Sequence, residues 1–321
     1  MFLVNVIIRS MDHLTLTEAL LAVSFQTYSN VKVIIVNAQG GKHRELGNSC
    51  GRYPLRLIND CGEPLARSAA ANFGLDDARG DFLLFLDDDD LILPKHIAQL
   101  VAELEVHSEL VAAYSGVECI NERGESLQEH FGKHYSKIRL ISGNFIPIHS
   151  VLFKAQVRDS GCRFDEALDL FEDWDFWLQA AEIGQFLYIP SVTALYRISS
   201  SGGFGVKSSN ADQAGNATQT LVTKWQRKWG SDSLYALMEL GRYYHMAMDI
   251  LQDNTGDTSS ESLIESIQVL IKTNRDLKQK LESTNTQLNN VLNSRSWRLM
   301  GPLRYLNHVR RKRFTPPKYP S

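Results

Sequence analysis

The chain has 321 residues, 43% hydrophobic and 22% charged, with a formal net charge of −3. That is the composition of a globular protein of one large domain, or a medium domain with an appendage, and no apolar run approaches the roughly 18 residues a membrane span requires. From Arg295 to Ser321 there are eight Lys/Arg and no Asp/Glu, so a basic tail follows an acidic body. This is not a nucleic-acid-binding balance, and it points to local contact with an anionic surface.

Met1–Arg9 is apolar but short, with no small-residue cleavage site behind it, and reads as a first strand (Leu3–Arg9), not a signal peptide. Thr15 with Glu18 three residues on predicts a capping box that opens a helix towards Gln26. Val31–Asn37 (VKVIIVN) is a continuous β-branched run, the pattern of a strand buried on both faces. Leu55–Asn59 is a weaker strand, and Leu65–Ala78 an Ala-rich helix stopped by Gly80. Phe82–Leu86 (FLLFL) is a buried strand that ends at Asp87-Asp88-Asp89-Asp90, and Pro94 opens a helix to about His107. Strands alternating with helices in this way predict a parallel, doubly wound α/β sheet.

Beyond Val111 the pattern is mixed. A helix is expected over Trp174–Ile183, strands near Phe186–Ile189 and Thr193–Arg197, a loop at Ser199–Gly205, and two packed helices over Gln213–Trp229 and Leu234–Leu251. Gln252–Ser260 reads as a linker. Leu263, Ile267, Leu270, Asn274, Leu277, Leu281, Thr284, Leu288 and Val291 then form a heptad seam, which predicts a coiled coil and a homo-oligomer. The boundaries expected are 1–210 for the sheet domain, 211–252 for a helical extension, 253–260 for the linker, 261–295 for the coiled coil and 296–321 for a basic amphipathic tail. The cysteines Cys50, Cys61, Cys119 and Cys162 are far apart, with no CxxC pair, and are expected as free thiols of a reducing cytosol.

Four adjacent carboxylates at a strand end repel one another and raise one another's pKa. A divalent cation resolves that conflict, and in an open α/β sheet ligands bind at the carboxyl ends of the strands. Hard oxygen ligands with room for phosphate oxygens suit Mn²⁺ or Mg²⁺; the plainer reading is an acidic cap on the following helix, with Asp90 in that role. The second constellation, Phe171-Glu172-Asp173-Trp174-Asp175-Phe176-Trp177, alternates acids and aromatics at a helix start. It suits either a proton-accepting carboxylate among sugar-stacking rings, or a capped amphipathic helix with Trp174 and Trp177 in the core.

Taken together, Val6–Arg9, Ser24–Asn37, the helix through Ala71-Asn72-Phe73-Gly74, Gly80–Asp90 (GDFLLFLDDDD), Gly161–Leu168 (GCRFDEAL), Phe171–Leu178 (FEDWDFWL) and Ala194–Arg197 (ALYR) resemble family 2 inverting glycosyltransferases. The resemblance covers roughly the first 200 residues. It implies the GT-A fold, a doubly wound mixed sheet, and transfer of a sugar with inversion from a nucleotide-diphosphate donor to an acceptor hydroxyl. On its pattern Asp89 is the leading metal ligand with Asp87 beside it, and Asp87 or Asp88 faces the ribose. Asp173 is the general base with Glu172 adjacent. Arg9, Asn37, Arg67, Asn72 and Arg197 fall on the donor side, Trp174 and His149 on the acceptor side.

Three departures stand out. Asn37-Ala38 replaces a pair of acids, Ala71 replaces an Arg that Arg67 could supply one turn earlier, and Ser199 replaces a His, for which Arg197 could partly substitute. They leave open a catalytically degenerate, sugar-nucleotide-binding scaffold; a nucleotidyltransferase is disfavoured because Arg9-Ser10-Met11-Asp12 carries no glycine. Ser294–Arg304 (SRSWRLMGPLR) also resembles a short motif that follows coiled coils in bacterial polysaccharide-assembly proteins. That implies synthesis of O-antigen or capsule on a glycan or lipid-linked acceptor. The expected location is cytoplasmic, with the tail on the inner face of the membrane or on a partner protein.

Overall fold

A computed structural model describes residues 1–168, 170–198 and 211–253. The loop expected at 199–205, most of the linker, the heptad seam and the basic tail lie outside the described residues. The chain divides into two compact units, Met1–Leu237 and Met238–Ser321, and the sheet with its site belongs to the first.

In chain order the elements are β1 (Val4–Ser10), α1 (Leu16–Ser24), β2 (Val31–Asn37), β3 (Ser49–Cys50), β4 (Tyr53–Ile58), α2 (Arg67–Asp77), β5 (Phe82–Asp87), β6 (Leu91–Ile92) and α3 (His96–Val106). They continue with β7 (Leu110–Ile120), β8 (Ser126–Phe131), α4 (Lys137–Ser142), β9 (Val151–Lys154), α5 (Ala155–Asp159), α6 (Glu172–Ala180), β10 (Gln185–Arg197), α7 (Ala211–Trp225) and α8 (Ser231–Asp253). One mixed sheet runs β3-β4-β2-β1-β5-β9-β7-β10-β6, with β8 paired to β7. The half from β4 to β5 is parallel, as the alternating pattern predicts, and β9 runs antiparallel to both β5 and β7.

Two apolar layers cover the sheet. Leu16, Ala19 and Val23 of α1 and Ile97, Leu100 and Leu104 of α3 pack on one face. The small residues Ala70 and Ala71 of α2, the aromatic residues of α6, and Leu221 and Trp225 of α7 pack on the other. Gly74 lets α2 approach β1: a Cβ there would lie 2.4 Å from Ile7 Cγ2. Gly74→Ala should therefore destabilise the fold by about 1–3 kcal/mol through overpacking, measured as a lower midpoint in urea.

Several local expectations are corrected. The capping box does not form, because Thr15 Oγ1 is buried without a partner and Glu18 reaches Arg197 instead. Asp90 is no helix cap, since α3 begins six residues later and its start has no side-chain cap. The two strands expected after α6 are one strand, β10, bent by register shifts against β7. β7 itself, eleven residues long, is buried along nearly its whole length, but Ala112, Ala113, Ser115, Gly116 and Glu118 interrupt the apolar, β-branched run by which a fully buried strand is read. Among the described residues no helix is long and apolar enough to cross a membrane.

Candidate active site

The parallel strands β1 and β5 pair in register, Arg9 opposite Asp87. Ridding the sheet end of a buried charge requires a partner, and the pairing supplies it. Arg9 Nε lies 2.7 Å from Asp87 Oδ1 and Nη2 2.9 Å from Oδ2, a two-pronged contact with both groups buried. Arg67, at the first turn of α2, adds Nη2 to Asp87 Oδ2 at 2.8 Å. The two guanidinium groups hold the Asp87 carboxyl well below its ordinary range against the opposing effect of burial. The same arginines then reach Glu172 Oε1, Arg9 Nη1 at 3.1 Å and Arg67 Nε at 3.2 Å. Two acids and two bases from β1, α2, β5 and α6 thus form one closed network.

Both oxygens of Asp87, the second expected metal ligand, accept guanidinium N–H groups, two of them on Oδ2 and one on Oδ1. Asp88 is likewise committed: Oδ2 accepts the Met11 N–H at 2.8 Å and Oδ1 lies 3.2 Å from His13 Nδ1. It holds the loop after β1 in place of the expected ribose contact. Asp90 is buried, with Oδ1 accepting the Arg197 N–H at 2.9 Å and Oδ2 3.0 Å from His149 Nδ1. Asp89 alone of the four makes no side-chain hydrogen bond or ion pair among the described residues. Burial, then the charges of Asp90, Asp87 and Asp88, push its carboxyl up to about 7. A cation would relieve that repulsion. Among the described residues no three His, Cys, Asp or Glu side chains converge on one point, so an ion at Asp89 would take its remaining oxygens from a diphosphate and water, as Mg²⁺ and Mn²⁺ commonly do.

Phe171 adopts φ +64°, a left-handed conformation that costs a non-glycine residue on the order of 1–3 kcal/mol. It reverses the chain immediately before α6, so that Glu172 and Asp173 open the helix facing the pocket, where the helix dipole favours acids. Asp173 Oδ1 accepts the Trp174 N–H at 2.8 Å and Oδ2 accepts Asn144 Nδ2 at 3.0 Å. Burial and then the neighbouring Glu172 charge push its carboxyl up to about 6. A cavity of about 470 Å³ is lined by Arg9, Arg67, Asp87, Asp90, Glu172 and Asp173, with Asn144, Phe145, Phe171 and Tyr196 among its other walls. Two of the strand-end acids, Asp87 and Asp90, and the helix-start acids, some eighty residues apart in sequence, meet in this one pocket.

The remaining expected site residues have other work. Trp174 is no exposed stacking platform: it is 5% exposed and its Nε1 donates to Leu140 O at 2.6 Å. His149 is buried against Asp90 and stacked on Tyr196 with centroids 5.7 Å apart, and it forms part of the pocket wall. Asn72 exchanges hydrogen bonds with the backbone of Phe164 and pins the Gly161–Leu168 segment to α2, in place of a donor contact. Arg197 braces the end of β10, donating to the carbonyls of Asp89 and Glu122 and to Glu18. Asn37 donates to Gly41 O at 2.9 Å and keeps one buried, uncommitted acceptor, Oδ1. Asn144 and Tyr196 were not singled out from the sequence. Tyr196 lies inside the quoted ALYR motif, whereas nothing in GNFIPI marks Asn144.

Residues 13–164 match the model of Glycosyl transferase family 2. Over those residues the chain is similar to family 2 glycosyltransferases. It is similar to an uncharacterized glycosyltransferase, YwdF, of Bacillus subtilis, 27% identical over 193 residues that span 58% of this chain and 70% of that protein. It is also similar to the uncharacterized glycosyltransferase MJ1057 of Methanocaldococcus jannaschii, 28% identical over 66% of this chain and 75% of that one. Among solved structures, a mannosyltransferase from Pyrobaculum calidifontis in complex with GDP-Man and Mn²⁺ superposes with a TM-score of 0.52 at 15% identity, covering 86% of this chain and 80% of that chain. At that identity the likeness speaks for the glycosyltransferase fold alone, a mixed α/β sheet of the GT-A type.

Proposed function

We propose that the glycosyltransferase domain moves a sugar from a nucleotide-diphosphate donor to an acceptor hydroxyl with inversion, and that Asp173 is the general base. The observation that carries this is the meeting, in one pocket, of Asp87 and Asp90, which flank Asp89 at the end of β5, with an acid of raised pKa at the start of α6. Asp173 Oδ2 and Oδ1 each hold one hydrogen bond and keep lone pairs for an acceptor proton. Its carboxyl, up at about 6, is ionised at neutral pH yet basic enough to take that proton. Asp89 would hold Mn²⁺ or Mg²⁺, whose chemistry is to neutralise the charge of the departing diphosphate. Arg67, half-exposed and lining the pocket, faces the same charge. The Pyrobaculum mannosyltransferase, with GDP-Man and Mn²⁺ bound, supports a nucleotide sugar and a divalent cation here.

The Ser294–Arg304 motif and the basic tail favour surface-polysaccharide synthesis at the inner membrane face, and the heptad seam favours a homo-oligomer. The retained Asp89 and Asp173 weigh against a pure scaffold. A screen of UDP-, GDP- and dTDP-sugars by thermal shift, with and without Mn²⁺, tests the reading. One donor should raise the melting temperature only in the presence of the metal, and NMR of the product should show an inverted anomeric centre. Retention of configuration, or no stabilisation by any donor, would refute it.

A further inference from the structure

We infer that Asn144 is the positioning residue for the base: its side-chain amide holds Asp173 Oδ2, and the loop that carries it is clamped onto the helix that carries Asp173. The inference rests on the reading of Asp173 as the proton acceptor. Nothing in the motifs of the chain points to Asn144; three features of the structure do.

The amide lies 3.0 Å from the carboxylate, and its orientation is determined by its other end. Asn144 Oδ1 accepts the backbone N–H of Ile146 at 3.3 Å, so the NH₂ group is the end that faces Asp173. The loop is then fastened on both sides of Asn144 by α6. Trp174 Nε1 donates to Leu140 O at 2.6 Å and Trp177 Nε1 to Ile146 O at 3.1 Å. Leu140 and Ile146 are themselves fully buried. Base and partner therefore sit on one clamped unit, which explains why both tryptophans of the acidic-aromatic stretch are in the core. Finally, Trp174 N–H takes Oδ1 at 2.8 Å. One hydrogen bond on each oxygen fixes the rotation of the carboxylate, while Asn144 and Asp173 both remain on the pocket wall.

The electrostatic surroundings give this contact its purpose. Glu172, on the same helix, opposes ionisation of Asp173; Arg67 from α2 favours it; Tyr196 from β10 is the other titratable neighbour. Of the groups that favour the ionised form, the Asn144 amide ranks ahead of Arg67 and the Trp174 N–H. Asn144 thus keeps a buried base ionised beside a second acid, and aims it.

The test needs no substrate. In protein carrying ¹³C-labelled aspartate, the Asp173 Cγ resonance is assigned by its loss in Asp173→Asn and followed against pH. In Asn144→Ala and Asn144→Ser the titration midpoint should rise by about one pH unit relative to wild type, the effect of removing one hydrogen bond to a charged group. Serine is included because its hydroxyl can still accept the Ile146 N–H and keep the turn, yet is too short to reach Asp173. A folded variant with an unmoved midpoint would overturn the inference. With the donor selected by thermal shift, nucleoside diphosphate release should show the acid limb of kcat moved by the same amount and the donor KM little changed. A fall in kcat without that movement would mean that Asn144 only shapes the loop. If Asp173→Asn instead retained full turnover, the base assignment would fail, and the NMR midpoints would still report on the Asn144 contact by itself.

Discussion

Asp173→Asn is expected to lower kcat by about 10²–10⁴-fold, the usual contribution of a positioned general base, while leaving the melting temperature unchanged or slightly raised. The amide has the shape of the carboxylate but cannot take a proton. The stability arm follows from the direction of the shift. Burial and Glu172 raise the folded carboxyl from 3.8 to about 6, so above pH 6 the folded state holds a charge that the unfolded chain carries more easily. Acidification through 6 towards 3.8 relieves that cost. At neutral pH the substitution relieves that cost, and this offsets the one accepted hydrogen bond lost where the amide NH₂ faces the Asn144 or Trp174 donor. The same value sets the wild-type pH profile: kcat/KM should fall tenfold per unit below about pH 6. A flat profile between pH 5 and 7, or near-wild-type turnover in Asp173→Asn, would remove Asp173 from the mechanism.

Asp87→Asn should have the opposite signature: a destabilisation of about 3–5 kcal/mol, the range for breaking one partner out of a buried ion pair. Arg9 has a side-chain exposure of 5% and Arg67 shares the same carboxylate, so the substitution leaves one guanidinium buried with Glu172 as its remaining acid partner. Here the folded carboxyl is depressed below 3.8. The stability it supplies is complete well above that value and is lost as the pH falls through and below it. Urea unfolding followed from pH 7 to pH 3 should show a steeper loss in wild type than in Asp87→Asn. Equal slopes would mean that the pair contributes no net stability, as some buried ion pairs do not. The contrast separates the two acids: the fold carries the buried charge of Asp173 at a cost and that of Asp87 at a gain.

The parts of the fold that were legible from the sequence are those with a local period. FLLFL and VKVIIVN read as buried strands because β-branched and apolar runs between turns have few other uses, and α2 read as a helix from its alanines. β7 was missed for the converse reason, as was the antiparallel β9, four residues long, whose direction no local pattern encodes. The site shows the same division. The two acidic stretches stood out because acids are costly at the end of a buried strand and unusual among aromatic residues, and the family resemblance singled out Asp89 and Asp173 within them. Their neighbours did not: Asn72, Arg197 and His149 are residue types equally suited to ligand or to scaffold, and the partners they hold, in loops, turns and α1, are distant in sequence.

What the sequence determined by itself was the class of sheet, the place of the acids at its carboxyl end, and the family those motifs resemble, because each follows from local periodicity and residue type. Only the tertiary structure decided which of four adjacent aspartates is uncommitted. That depended on Arg9 facing Asp87 across β1 and β5, on the loop after β1 claiming Asp88, and on His149 and β10 claiming Asp90. Carboxylates next to one another in sequence point to different neighbours in space, and a buried charge takes its role from whatever neutralises it. Asp89, the one left without a side-chain partner among the described residues, is the one available to a ligand.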